Sequence, residues 1–428
     1  MSLEMAVKDA RRRYEAAHPR SRALAAEAAA VLPGGNTRSV LDFAPYPFRV
    51  ASAHGAYIED VDGHRYVDLL GNYSAGLLGH DPAPVRDAVT EVLESGWSLG
   101  AVHEREARFA QLVVSRFPSV EQVRFTNSGT EANLMAIATA LHVTGRSKVV
   151  VCNGGYHGGV LYFGPTGAPL LVPHDWVRID FNDALAVTEA FARHGEEIGC
   201  VLVEPMLGAS GCIPAHPAFL EALRTATHES GAILIFDEVM TSRLARGGAQ
   251  EMLGITPDMT TLGKYLAGGL GFGAFGGRKD VMAAFSSDGG SLTHGGTFNN
   301  NAFTMTAGVA AMEHVATPGR LTALNARGDQ LRARLNEVFA AAAVPMSVTG
   351  WGSLMTVHAV AGPVRSPTDL TRADDSSKEL FFLEMLEAGF YLARRGYIAL
   401  SLDITDDHAG EFVAAVADWV QRRTELLT

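Results

Sequence analysis

Cysteine is nearly absent: there are three in 428 residues, Cys152, Cys200 and Cys212, with no C-x-x-C spacing. Three such thiols cannot form a disulfide framework. Two of them close or adjoin apolar strand-like runs, which suits buried core thiols and a reducing, cytoplasmic setting. No run of 18 or more apolar residues occurs, so no membrane-spanning helix is expected. The Ala-, Arg- and Glu-rich N-terminal stretch shows no apolar segment of the signal-peptide kind. Positive charge is in deficit, 35 Lys and Arg against 47 Asp and Glu, and the net charge of −12 argues against a nucleic-acid partner. Fifteen histidines are present, yet no H-E-x-x-H or other clustered ligand pattern occurs, and no metal site is expected. A P-loop is missing as well, because Tyr265 follows Gly263-Lys264 where Ser or Thr is required.

What is present is a chain 47% hydrophobic, long enough to bury a large core and to form two structural units. Residues 6 to 31 read as one helix, stopped by Pro33-Gly34-Gly35. Residues 56 to 70 read as a hairpin with Asp62-Gly63 at its turn. From about 77 to 315 apolar runs alternate with helical stretches, the pattern of a mainly parallel sheet. The tail returns to helix and short strands and ends in a helix near 409 to 424.

Five segments carry candidate chemistry. Lys264 lies in the small, apolar stretch Thr260–Gly269, where burial would disfavour its ammonium form and leave a nucleophilic amine suited to Schiff-base chemistry. Asp237, 27 positions earlier, ends the apolar run Ala232–Phe236, and the C-terminal end of a buried parallel strand is where open α/β sheets present ligands. It reads either as a helix cap or as an anion that keeps a pyridine nitrogen protonated. Glu238 alternates to the opposite face. In Val123–Asn133 a strand runs into Ser128-Gly129-Thr130 and then a helix, offering free N–H groups and hydroxyls to a phosphate. Tyr156, flanked by Gly154-Gly155 and Gly158-Gly159, is placed to lie against a planar ring. Glu204 ends the strand-like Val201–Val203 and either serves the site or holds a loop backbone.

The order and spacing of these segments, with Gly295-Gly296-Thr297-Phe298-Asn299, resemble a class III, fold-type-I aminotransferase that uses pyridoxal 5′-phosphate (PLP). The likeness runs from Pro33 to about Leu402. Asp237-Glu238-Val239-Met240-Thr241 and Gly268-Gly269 resemble the glutamate-1-semialdehyde aminomutases of this class. Asn36–Val40, Phe298–Asn301 and Arg395-Gly396-Tyr397 are more similar to the β-phenylalanine aminotransferases.

The resemblance implies an α/β fold with a large, mainly parallel, seven-stranded PLP domain over residues 76–318. A smaller α/β domain would join segment 1–75 to segment 319–428. It implies Lys264 as the residue linked to the cofactor and Asp237 at the pyridine nitrogen. Ser128, Gly129 and Thr130 would take the phosphate, Tyr156 one ring face and Val239 the other. Thr297 would reach the phosphate of the neighbouring subunit in a homodimer with interface sites. Lys264, once freed by the substrate amine, is then placed to move a proton between the substrate carbon and the cofactor.

Arg38 and Arg395 are the candidate substrate anchors, each offering a bidentate fork to a carboxylate. Two anchors would accept a β-amino acid in one half-reaction and a keto acid such as 2-oxoglutarate or pyruvate in the other. Arg394 reads as a surface arginine. Three departures count against the aminomutase reading. The arginine is displaced in Asn36-Thr37-Arg38-Ser39-Val40, Gly159 stands where the aminomutases have a second histidine, and Ser242-Arg243 follows Thr241. An intact Lys264, Asp237 and Ser128-Gly129-Thr130 argue against a non-catalytic binding protein.

Overall fold

The computed structural model describes residues 2–164 and 169–427. The chain divides into two compact units: Met1–Asp81, Leu324–Val364 and Leu370–Thr428 form one, and Pro82–Ala323 with Arg365–Asp369 form the other. Among the described residues, no helix is long and apolar enough to cross a membrane.

The larger unit is built on seven strands: β1 (Gln122–Thr126), β2 (Lys148–Cys152), β3 (Asp175–Ile179), β4 (Ile198–Val203), β5 (Ile233–Asp237), β6 (Met259–Gly263) and β7 (Gly273–Gly277). They lie in the order β1-β7-β6-β5-β4-β2-β3. Only β7 runs against the rest, antiparallel to both β6 and β1. β4, β5 and β6 are buried along their whole length, because both faces of the sheet are covered there.

The helix Gly129–Thr144 covers one face. Its Ala132, Ala136, Ile137 and Ala140 pack on Val149, Val151, Cys200, Leu202, Ile233 and Ile235. These strand residues recur every second position, so the same face of β5 continues from Ile233 and Ile235 to Asp237. The alternation of an apolar strand thus delivers one carboxylate at its end.

β7 carries four weak strand-formers, Gly273, Ala274, Gly276 and Gly277, and its glycines answer to packing. A Cβ on Gly273 would stand 2.0 Å from the Ser128 carbonyl oxygen, and one on Gly276 2.5 Å from that of Gln122. The backbone of β7 presses on β1 and on the turn that follows it, at a distance only glycine permits.

The smaller unit holds a four-stranded sheet in the order Val50–His54, Tyr57–Asp60, Arg65–Asp68, Phe390–Tyr391. A three-stranded antiparallel sheet joins Ser347–Trp351, Leu354–His358 and Tyr397–Ala399. Both chain ends therefore contribute to it. The expected hairpin is there, with Tyr57↔Val67 and Glu59↔Arg65 in register and Gly63 at φ +93° in the turn. The expected single N-terminal helix is instead two, Leu3–Ala17 and Pro19–Ala29. The break is His18 at φ −121°, ψ 51°, because a residue before proline is driven out of the helical region.

Candidate active site

Asp237 is 4% exposed at the end of β5. Its Oδ2 accepts hydrogen bonds from Asn133 Nδ2 at 2.8 Å and His157 Nδ1 at 2.8 Å, and its Oδ1 accepts the Val239 N–H at 3.0 Å. Asn133 lies on the sheet-facing side of the Gly129–Thr144 helix. Its Oδ1 accepts from Thr261 Oγ1 at 2.6 Å, and its Nδ2 also donates to the His157 carbonyl at 3.0 Å. Thr261 is the register partner of Asp237 on β6, which puts both side chains on one face. Asn133, Thr261 and His157 thus fix the carboxylate from three elements, and this arrangement holds it in one orientation. His157 Nε2 is buried without a hydrogen-bond partner among the described residues. Glu238 points the other way, as strand alternation requires, and its oxygens are occupied by Thr241 Oγ1 and by the Ala249 and Gln250 N–H groups.

Lys264 follows β6 directly and opens the short helical turn Lys264–Ala267. Its φ is +59°, in the left-handed region that a side-chain-bearing residue enters at a cost. Gly263 before it leaves room for Val239, whose Cγ1 would stand 3.2 Å from a Cβ there, and the same isopropyl group would be 2.9 Å from a Cβ on Gly129. Val239 is therefore seated between the end of β6 and the start of the covering helix.

Ser128 caps that helix. Its Oγ accepts the Glu131 N–H at 3.1 Å, while the Glu131 carboxylate reaches back to the Asn127 N–H at 2.8 Å. The N–H groups of Gly129 and Thr130 have no partner within the helix by geometry. Thr130 is backed by Gly158 at φ +128°, where a Cβ would lie 2.1 Å from Thr130 Oγ1. Ser128, Gly129, Thr130, Asp237, Val239 and Lys264 are thus brought together by direct packing around the C-terminal ends of β5 and β6.

Tyr156 is 45% exposed and pairs as a bridge with Tyr162, their rings 5.7 Å apart. Its backbone is held by Glu204: Oε1 accepts the Tyr156 N–H and Oε2 the Gly208 N–H, both at 2.9 Å. Burial pushes the Glu204 carboxyl up to about 7, and Asp237 nearby adds to the rise, while His157 and the two N–H bonds oppose it. Glu204 therefore holds the loop backbone, one of the two readings its sequence position left open. Thr297 lies exposed on a loop tied to the Ser128 turn by the bond from Asn127 Nδ2 to Asn299 Oδ1 at 3.0 Å.

Arg38 and Arg395 belong to the smaller unit. There Arg395 lies over the ring of Tyr73 at 5.1 Å and of Tyr397 at 5.6 Å, and Arg38 lies 5.8 Å from the same Tyr73 ring and bonds Asn72 Oδ1 at 2.7 Å. Asn72, Tyr73 and Ser74 all have positive φ, from +46° to +73°, a left-handed run that presents Tyr73 and Asn72 to the two guanidiniums. Arg394 is held at the surface by Asp375 and Glu379. Cys152, Cys200 and Cys212 are all buried.

Asn133, His157 and Thr261 stand out in the structure and not in the sequence. Asn133 had a signal, a polar residue within the apolar face of a helix that must find a partner when buried. The signal for His157 was only its place beside Tyr156.

The model of the aminotransferase class-III family matches residues 42–166 and 173–420. Over 426 residues the chain is 50% identical to a beta-phenylalanine transaminase of Variovorax paradoxus, covering 100% of this chain and 98% of that protein. A crystal structure of a beta-phenylalanine aminotransferase from the same organism superposes with a TM-score of 0.98 at 50% identity, covering 100% of this chain and 99% of that one. A glutamate-1-semialdehyde 2,1-aminomutase of Myxococcus xanthus is 36% identical, over 93% of this chain and 97% of its own length.

Proposed function

Because this chain belongs to the class-III aminotransferases, we propose that it moves the amino group of a β-amino acid, aromatic ones included, to a keto acid such as 2-oxoglutarate or pyruvate. It is a PLP-dependent aminotransferase. The observation that carries the substrate reading is the 50% identity along the whole chain with a beta-phenylalanine transaminase.

Bound PLP supplies an electron sink that lets a C–H bond beside the substrate nitrogen break. The residues present suit that group. A buried, doubly held carboxylate, Asp237, is able to accept the pyridine N–H, and glycine-backed hydroxyls at a helix start suit a phosphate. In this reading Ser128, Gly129 and Thr130 bind the phosphate, and Tyr156 and Val239 flank the ring. Lys264 Nζ would take the proton from the amine-bearing carbon and deliver it to the cofactor, as general base and then general acid. Arg38 and Arg395 bind the substrate carboxylates; the shared Tyr73 ring supports this, because a guanidinium lying against an aromatic face keeps its N–H edge available.

We further infer a homodimer in which Thr297 serves the partner's phosphate site. The exposure of Trp97, Val102 and Phe298 at 50%, 88% and 65% supports a face that a second copy covers. A cytoplasmic location agrees with three buried thiols and no disulfide framework.

The test is a half-reaction. PLP-loaded protein is mixed with 3-amino-3-phenylpropanoate without acceptor, and the cofactor absorbance is followed. Conversion to the pyridoxamine form, reversed by 2-oxoglutarate, is the expected result. No conversion, with turnover of glutamate-1-semialdehyde to 5-aminolevulinate, would make the protein an aminomutase instead.

A further inference from the structure

His18 is distant in sequence from Asp60 and His64, which share one hairpin, but the smaller unit brings the three together. His18 sits at the break between the two N-terminal helices, Asp60 ends the strand Tyr57–Asp60, and His64 follows the Asp62-Gly63 turn. One ligand atom from each lies within 4.8 Å of the others. His18 Nε2 is 3.3 Å from Asp60 Oδ2, and His64 Nδ1 is 3.0 Å from the same oxygen. Donors bound to one zinc ion at about 2.0–2.2 Å stand roughly 3.0–3.5 Å apart, so both separations already match edges of a coordination shell.

The surroundings fix the donors. His18 Nδ1 donates to the Tyr14 carbonyl at 2.7 Å, which turns the Nε2 lone pair of the neutral ring toward Asp60. A ligating histidine is held in this way, by a carbonyl on its other nitrogen. Asp60 Oδ1 accepts the N–H groups of Asp62 and His64, both at 2.9 Å, so the carboxylate cannot rotate away. The Tyr66 hydroxyl lies 2.8 Å from His18 Nε2 and 3.0 Å from Asp60 Oδ2. It has one proton for two acceptors that face each other at 3.3 Å. His18 is 5% and Asp60 1% exposed, whereas the His64 side chain is 38% exposed and leaves a path from solvent.

We propose that this cluster is a binding site for a divalent transition-metal ion, zinc best fitting two imidazoles and one carboxylate, with water completing the shell. Calcium and magnesium, which take oxygen ligands, do not suit it. On binding, the His64 proton leaves Nδ1 and is regained at Nε2 from solvent, and the Tyr66 hydroxyl donates to Asp60. The ion joins the helix break at His18 to the hairpin that carries Asp60 and His64, and so stabilises the smaller unit.

The test uses the PLP-loaded enzyme, dialysed against EDTA, returned to chelator-free buffer and titrated calorimetrically with zinc chloride. The expected result is one ion per chain, a rise in Tm with zinc, and binding weakened at least about tenfold in His64→Ala. X-ray absorption of the zinc-loaded wild-type protein, which needs no variant to fold, should show a nitrogen and oxygen shell with imidazole scattering. No binding to the wild-type chain, unchanged affinity in His64→Ala, or a zinc shell without imidazole overturns the proposal.

Discussion

At Asp237 two donors, Asn133 and His157, meet on one oxygen while a backbone N–H takes the other. Three hydrogen bonds from separate elements hold this carboxylate in one orientation. Glu204 is buried too, held by the Tyr156 and Gly208 N–H groups. Its carboxyl is raised from 4.5 to about 7, chiefly by burial. The stability it contributes is complete below its unfolded value of 4.5 and is lost as pH rises through about 7. Urea unfolding of the apoprotein should lose on the order of 3 kcal/mol across that window. Glu204→Gln should flatten the slope; an unchanged slope would assign it to other groups. Arg395→Ala should raise KM for β-amino acids more than for the corresponding amines without a carboxylate. Steady-state kinetics on matched pairs checks this, and equal effects would remove Arg395 from carboxylate recognition.

Among the elements, the central strands were readable because valine, isoleucine and leucine runs of strand length have few alternatives. Asp237 and Glu204 were readable with them, as carboxylates where such runs stop. β7 was not, since Gly273 and Gly276 are chosen for the backbone that presses on them and not for strand propensity. The turn at His18 shows the reverse failure. The helical composition of residues 6–31 outweighed one His-Pro step whose local sterics decide the structure. His157 and Thr261 became visible only when three elements converged on Asp237. The loop behind Thr130 gives a prediction at this scale. Gly158→Ala puts a methyl group where Thr130 stands and strains a backbone at φ +128°. PLP affinity, measured by equilibrium binding, should fall at least about tenfold, or about 1.4 kcal/mol. Unchanged affinity would mean that Thr130 does not help to hold the phosphate.

For the whole molecule, the proposed dimer makes the site a shared property of two chains. The protein should sediment at twice 45.5 kDa. Trp97→Asp combined with Phe298→Asp should shift it toward the monomer and lower PLP retention together, because Thr297 would no longer reach its partner's site. A wild-type chain that sediments as a monomer while fully active would refute that arrangement. The resemblance supplied the cross-subunit role of Thr297; no pattern of its own loop, Gly295-Gly296-Thr297, specifies another chain.

Lys264, at a left-handed position directly after β6, is the proposed point where cofactor and chain are joined. Borohydride reduction of the PLP-loaded protein followed by peptide mass mapping tests this most directly. The expected result is a single pyridoxyl adduct on Lys264, and a Lys264→Ala protein that still binds PLP but carries no adduct and no transaminase activity. An adduct on another lysine, or normal turnover in Lys264→Ala, would contradict it.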